Sequence, residues 1–217
     1  MTTAADLSKG RGILLLDFDG PICAVFSGIS NREAAQQLLA GINASAPDHV
    51  QKSSDPFDIL YFAATLGVVE AEATERRFRE IELEAVRLAQ PTDGAAEVIE
   101  RFATDGHRVA VVSNNSSAAI EAFMIQHDLR GLVRGVYGRD SADLSHLKPD
   151  PYLLNQAVAG LSVTPEDCVF VGDSVSDVLA AQAAEIACIA FANRPEKVAR
   201  LAAHSPAAMI TSMAQLL

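Results

Sequence analysis

The chain has no lysine- or arginine-rich run, no long apolar segment and no closely spaced cysteines, and each of these shortages removes a class of function. Its 17 lysines and arginines stand against 28 aspartates and glutamates, giving a formal net charge of −11 over 217 residues. A surface of this sign repels a nucleic-acid backbone and an anionic membrane face, so neither is an expected partner, whereas a metal cation is easily accommodated. The opening MTTAADLSKGRG is polar, and the ILLL that follows is far too short for a signal-peptide core or a membrane span. The expected location is therefore the cytoplasm. Cys23, Cys168 and Cys188 are odd in number and far apart, with no CxxC, which argues against a disulfide framework and a zinc site and leaves buried free thiols as the reading. Internal repeats and low-complexity tracts are absent as well.

What is present is an alternation of short apolar runs with amphipathic stretches, the pattern of βα units in a parallel sheet covered on both faces. Strands are expected at 12–17, 108–113, 133–137, 168–172, 186–191 and 208–210, and helices near 94–105, 116–128, 150–160, 175–184 and 194–203. Gly106 stands where a glycine just past a helix end would stop the first of these helices. Residues 22–90 break the rhythm: they show no clear strand but several helix signals, and read as an all-helical insert. Ser30 and Glu33 have capping-box spacing for a helix running to about Ala40, and Asp55 followed by Pro56 is an N-cap with proline at the first helical position. That second helix should stop at Gly67, and a third should run from about Glu70 to Ala89. The expected division is an α/β core of residues 1–21 and 91–217 with a helical module of residues 22–90 inserted after the first strand.

In an open parallel sheet, functional groups gather at the carboxyl ends of strands. Asp17, Ser113 and Asp173 fall at such ends, and Lys148 lies in the HLKPDP loop leading into a helix. Singly, an aspartate after a strand is a turn former, a serine there is a helix cap, and a lysine before proline is solvated. Together, four such residues in one order along the chain point to a single polar site at one edge of the sheet. LLLDFDG and GDSVSD, with two acidic residues each, are the most specific pieces.

These segments resemble the haloacid dehalogenase superfamily of phosphohydrolases and phosphomutases. LLLDFDG resembles its first motif, VAVVSN its second, LKPDP its third and GDSVSD its fourth, in the family's order and from residue 12 to near the C-terminus. The resemblance implies a Rossmann-like core with a helical cap between the first two motifs. It also implies an Mg²⁺-dependent phosphatase acting on a small phosphorylated metabolite, as a monomer or homodimer, by way of an aspartyl-phosphate. On the matching positions, Asp17 would be the nucleophile, while Asp19 would protonate the leaving alcohol and then activate water. Asp17, Asp173 and the backbone carbonyl of Asp19 would hold Mg²⁺, and Asp177 would orient Lys148 or a water on the metal. Ser113 would donate to a phosphate oxygen, the backbone amides of Phe18, Asp19 and Asn114 would cradle the others, and Lys148 would act as a point charge.

The second aspartate argues for phosphate chemistry, since the dehalogenases of the superfamily lack it. Two other readings share the core residues: a sugar phosphomutase resembling β-phosphoglucomutase, and a non-catalytic receiver-type phospho-acceptor, which motif order and the helical insert disfavour. Pro21 departs from the threonine or valine usual after DFDG, and should stiffen the exit from that loop because proline fixes φ and lacks an N–H. Phe26, Arg32, Lys52, Arg76 and Arg77 are the candidate selectors in the cap. The alternative for Arg76, Arg77 and Arg79 is pairing with Glu72, Glu75, Glu80 and Glu82 on a solvated helix.

Overall fold

A computed structural model describes residues 3–217 of the chain. After a short helix α1 (Ala4–Lys9) comes β1 (Ile13–Leu16), then β2 (Cys23–Ala24), the helices α2 (Asn31–Ala40), α3 (Asp48–Gln51), α4 (Pro56–Thr65) and α5 (Val68–Leu88), and β3 (Gln90–Pro91). The remainder alternates: α6 (Ala95–Thr104), β4 (Arg108–Ser116), α7 (Ser117–Gln126), β5 (Val133–Arg139), α8 (Tyr152–Leu161), β6 (Cys168–Gly172), α9 (Val175–Ala183), β7 (Ala187–Phe191), α10 (Pro195–Ala202) and β8 (Ala208–Ile210).

Six strands form one parallel sheet in the order β5-β4-β1-β6-β7-β8. Successive side chains of a strand point to opposite faces, and both faces here are covered, so the strands are apolar without alternation. Leu14 and Leu16 enter one cluster with Phe102 of α6 and Phe123 of α7, while Ile13 and Leu15 enter another with Leu154 of α8 and Val178 of α9. Burying each such side chain contributes about 1.5–3 kcal/mol. The chain leaves β1 toward β4 on one side and later returns to β6 on the other, which makes the carboxyl end of β1 a topological switch point. The three cysteines are buried and free.

Helices α2–α5 surround a third apolar cluster that includes Leu38, Ile59, Phe62, Phe78 and Ile81. Ser30 and Glu33 form the capping box of α2, and Asp55 caps α4 by accepting from the Phe57 N–H with Pro56 at the first helical position. Helix α4 ends before Gly67, whose φ of +114° suits glycine, and α5 starts at Val68 rather than near residue 70.

The segment is not wholly helical. Cys23–Ala24 pairs antiparallel with Gln90–Pro91, a ribbon too short to leave any periodicity in the sequence. Helix α5 also passes from one apolar cluster to another, with Phe78 and Ile81 in the helical one and Ala85 and Val86 in that of the sheet. Among the described residues, no helix is long and apolar enough to cross a membrane.

Candidate active site

At the end of β1 the chain must stop being a strand and turn. Asp17 is 6% exposed, and its N–H still donates to the Val171 carbonyl of the neighbouring strand. The Phe18 carbonyl then accepts from the N–H groups of both Ile22 and Cys23, closing a tight loop around Gly20 and the buried Pro21. Gly20 has φ +106°, and a Cβ there would overlap the Asp173 carboxylate, so only glycine lets β1 and β6 bring their loops this close. The Thr92 hydroxyl, just past β3, donates to the Gly20 carbonyl at 2.6 Å. Phe18 turns its fully buried ring inward, edge-on to Phe123 with ring centroids 5.3 Å apart.

Four carboxylates, those of Asp17, Asp19, Asp173 and Asp177, and the Lys148 ammonium meet beside this loop. Lys148 Nζ lies 2.8 Å from Asp17 Oδ1 and 2.6 Å from Asp177 Oδ1, and donates to the Val112 carbonyl at 3.3 Å. Burial works against the lysine charge, but the two carboxylates outweigh it and hold its pKa above the ordinary lysine value. Burial, with the Asp177 charge added, pushes Asp17 up to about 7 despite Lys148. Asp19 is pushed up to about 6, mainly by burial, although its Oδ1 accepts from the Val25 N–H at 3.0 Å.

Asp177 has little left to give. Its Oδ2 accepts from the N–H groups of Asp173 and Ser174 and from the Ser174 hydroxyl, while Oδ1 faces Lys148. Oxygens of Asp17, Asp173 and Asp177 lie within 4.8 Å of one another, a hard-oxygen donor set that suits a divalent cation such as Mg²⁺. With Asp177 occupied as a hydrogen-bond acceptor, Asp17 and Asp173 are the carboxylates best able to hold one.

From the next strand, Ser113 is 2% exposed and its hydroxyl donates to Asn115 Oδ1 at 3.2 Å. Asn114 clamps the backbone of Lys148, accepting from its N–H at 2.8 Å and donating to its carbonyl at 3.1 Å. That reciprocal pair fixes the HLKPDP loop to the end of β4. Asp17, Asp19, Ser113, Asn114, Lys148, Asp173 and Asp177 all line one cavity of about 530 Å³.

A sequence model of haloacid dehalogenase-like hydrolases matches residues 14–191. The chain belongs to this family. Phosphoglycolate phosphatase 1 of Pseudomonas aeruginosa is 28% identical over 152 residues, covering 70% of this chain and 55% of that protein. A phosphoglycolate phosphatase of Pseudomonas fluorescens is 30% identical over 149 residues, covering 69% and 54%. The matched part thus spans about half the length of these two relatives. Among solved structures, a haloacid dehalogenase-like family hydrolase from Streptococcus pneumoniae shares the fold, with a TM-score of 0.71 at 16% identity over 96% of this chain and 97% of that one.

Within this family frame, the helical side of the cavity differs from expectation. Its wall is made by Phe26, Asn31, Ser54, Asp55, Pro56, Phe57 and Tyr61. Of the candidate selectors only Phe26 is there. Arg32 is exposed, Lys52 pairs with the equally exposed Asp48 at 3.2 Å, and Arg76 and Arg77 line a separate pocket with Leu38 and Glu80. They were candidates as cations of the helical module, able to hold a carboxylate or a second phosphate, but Arg32, Lys52, Arg76 and Arg77 are not among the residues that line the cavity.

The expected surface pairing on α5 is corrected in part. Arg79 does pair with Glu75, at 2.7 Å. Glu82, however, is 0% exposed: it accepts from Arg139 at 2.7 Å, from the Asn115 side chain at 2.9 Å and from the Ser116 N–H at 3.1 Å. Arg139, at the end of β5, also reaches Glu75 at 3.3 Å and the Asn114 carbonyl at 2.8 Å, and lies over the Phe78 ring. Glu75, Phe78, Glu82 and Val86 fall on one stripe of α5 at helical spacing, a burial signal that the charge pairing conceals. A second partner without a motif is Lys197 of α10, paired with Asp173.

Proposed function

We propose that the protein is a phosphatase that hydrolyses small phosphate monoesters through an aspartyl-phosphate on Asp17. The observation that carries this reading is Asp17 itself: a carboxylate at the carboxyl end of the central strand, 2.8 Å from a buried ammonium and in one cavity with Asp19 and Ser113. The relatives named as phosphoglycolate phosphatases support the same reaction class.

In the first step an Asp17 oxygen attacks phosphorus, the ester P–O bond breaks, and the departing alkoxide takes a proton from Asp19. In the second, Asp19 takes a proton from water, the water oxygen attacks phosphorus, and the bond to Asp17 breaks, releasing phosphate and restoring both carboxyls. Burial holds the Asp19 carboxyl above the ordinary carboxylate range, the direction that suits a group that must give and take a proton near neutrality. Lys148 offsets negative charge beside Asp17, and its own position is held by Asp177 and by the Asn114 clamp. Ser113 and the backbone amides of Phe18, Asp19 and Asn114 are the donors for phosphoryl oxygens. Asp17, Asp173 and the Asp19 carbonyl would hold Mg²⁺, which would supply positive charge beside the Asp17 carboxylate and the phosphoryl group. The helical module of residues 22–90 acts as the cap that walls the leaving-group side and limits water.

The test is phosphate release from a panel of small esters with Mg²⁺, with EDTA, and with the Asp17→Asn variant. Release that needs the metal and disappears in the variant is expected. Release that persists without Asp17 would sink the mechanism, and isomerisation of a sugar phosphate without release would replace it with a mutase.

A further inference from the structure

We propose that the leaving group this cavity accepts is uncharged and hydroxyl-bearing, as in a sugar or polyol monophosphate, and that esters carrying a carboxylate or a second phosphate are disfavoured. The proposal rests on the phosphatase reading and narrows its substrate.

The cavity has two chemically distinct ends. At the sheet end stand the carboxylates, Ser113 and Lys148; at the helical end stand Phe26, Asn31, Ser54, Asp55, Phe57 and Tyr61. Among the described residues, Lys148 is the only cation lining it, and the Lys148 ammonium is already shared by Asp17, Asp177 and the Val112 carbonyl.

The nearby cations are also taken. Lys197 pairs with Asp173. Arg139 lies over the rings of Phe57 and Phe78 at 5.7 and 4.5 Å, with its nitrogens committed to Glu75, Glu82 and the Asn114 carbonyl. Phe57 itself separates that guanidinium from the cavity it lines. An anionic leaving group would therefore meet no counter-charge, and would face Asp55.

What the helical end does offer fits hydroxyls. Asn31 supplies a donor and an acceptor, and Ser54 can act as either. Asp55 spends Oδ1 on the Phe57 N–H at 2.9 Å, leaving its other oxygen to accept from a hydroxyl. The rings of Phe26, Phe57 and Tyr61 present flat apolar surface to the C–H face of a sugar. A volume of about 530 Å³ falls in the range of small-molecule sites. The relatives discussed above carry the name of phosphoglycolate, an ester whose leaving group, glycolate, bears a carboxylate, and nothing in this wall is built to hold one.

The experiment compares kcat/KM, with Mg²⁺, for a hexose monophosphate, glycerol phosphate, phosphoglycolate and a hexose bisphosphate, with p-nitrophenyl phosphate as a control for the chemistry. The better monophosphate is expected to exceed phosphoglycolate and the bisphosphate by at least about tenfold. Asn31→Arg, an exposed change that places a cation in the wall, is expected to raise the ratio of kcat/KM for phosphoglycolate to that for the hexose monophosphate by about tenfold. A wild-type preference for phosphoglycolate or the bisphosphate, with the control hydrolysed, overturns this inference alone. Failure to hydrolyse any ester, the control included, overturns the phosphatase reading and this inference with it.

Discussion

Asp17 and Asp19 sit one residue apart, yet one faces an ammonium and a second carboxylate while the other caps a backbone N–H, so each asks for its own experiment. In metal-free protein, Asp19 has a folded pKa of about 6 against 3.8 for the free side chain, so the folded state holds the proton more tightly. Its contribution is full at low pH and is lost as pH rises from about 4 to about 6, a difference of up to about 3 kcal/mol. Asp17, raised to about 7, acts in the same direction. In EDTA, then, urea midpoints should fall between about pH 4 and pH 7, and Asp19→Asn should flatten that fall. An unchanged slope in the variant would assign the dependence elsewhere.

Lys148→Ala removes the ammonium from between two buried carboxylates, so it should cut kcat by about 10²–10³-fold and also lower stability, with circular dichroism separating the two. Far from the site, exposed Glu185 holds φ +58° just after α9. Glu185→Gly should stabilise the protein by about 0.5–1 kcal/mol, read as a higher melting temperature with unchanged activity.

Among elements, the contact that most needs testing joins α5 to the ends of β4 and β5 through Glu82 and Arg139. Removing Glu82 leaves the buried Arg139 with Glu75 as its remaining counter-charge and two donors, the Asn115 side chain and the Ser116 N–H, unmatched. Glu82→Ala should cost about 3–5 kcal/mol in urea denaturation, and Glu82→Gln clearly less. Because Asn114 and Asn115 belong to this network, the Ala variant should also weaken the Asn114 hold on Lys148 and lower kcat.

The sheet and Asp17, Ser113 and Asp173 at its edge were legible because each of these residues sits where an apolar run stops, a local signal. Glu82 and Arg139 were not, since they are 57 residues apart and nothing local marks their pairing. The β2–β3 ribbon was hidden for another reason: two-residue strands carry no period to read. Lys197, 24 residues beyond Asp173, was likewise invisible without the fold that brings α10 back to β6.

At the scale of the whole molecule, a net charge of −11 coincides with carboxylates crowded around one cavity. A divalent cation that binds there relieves repulsion in the folded state only. Mg²⁺ at about a hundred times its dissociation constant should therefore add about 2.7 kcal/mol, and EDTA should reverse it. A melting temperature raised as much by sodium chloride of the same ionic strength as by Mg²⁺ would point to general screening instead.

Helix α5, 21 residues and about 31 Å long, has one end among the insert's apolar side chains and the other among those of the sheet. Its seam for recombination is therefore not where the polypeptide re-enters the sheet. A graft of a foreign cap that replaces everything up to residue 90 would also discard Ala85 and Val86, which the recipient's own sheet needs, together with Glu82. One that crosses over between Ile81 and Glu82 would keep them. Swapping substrate preference between relatives by exchanging caps should succeed or fail on the placement of that single junction.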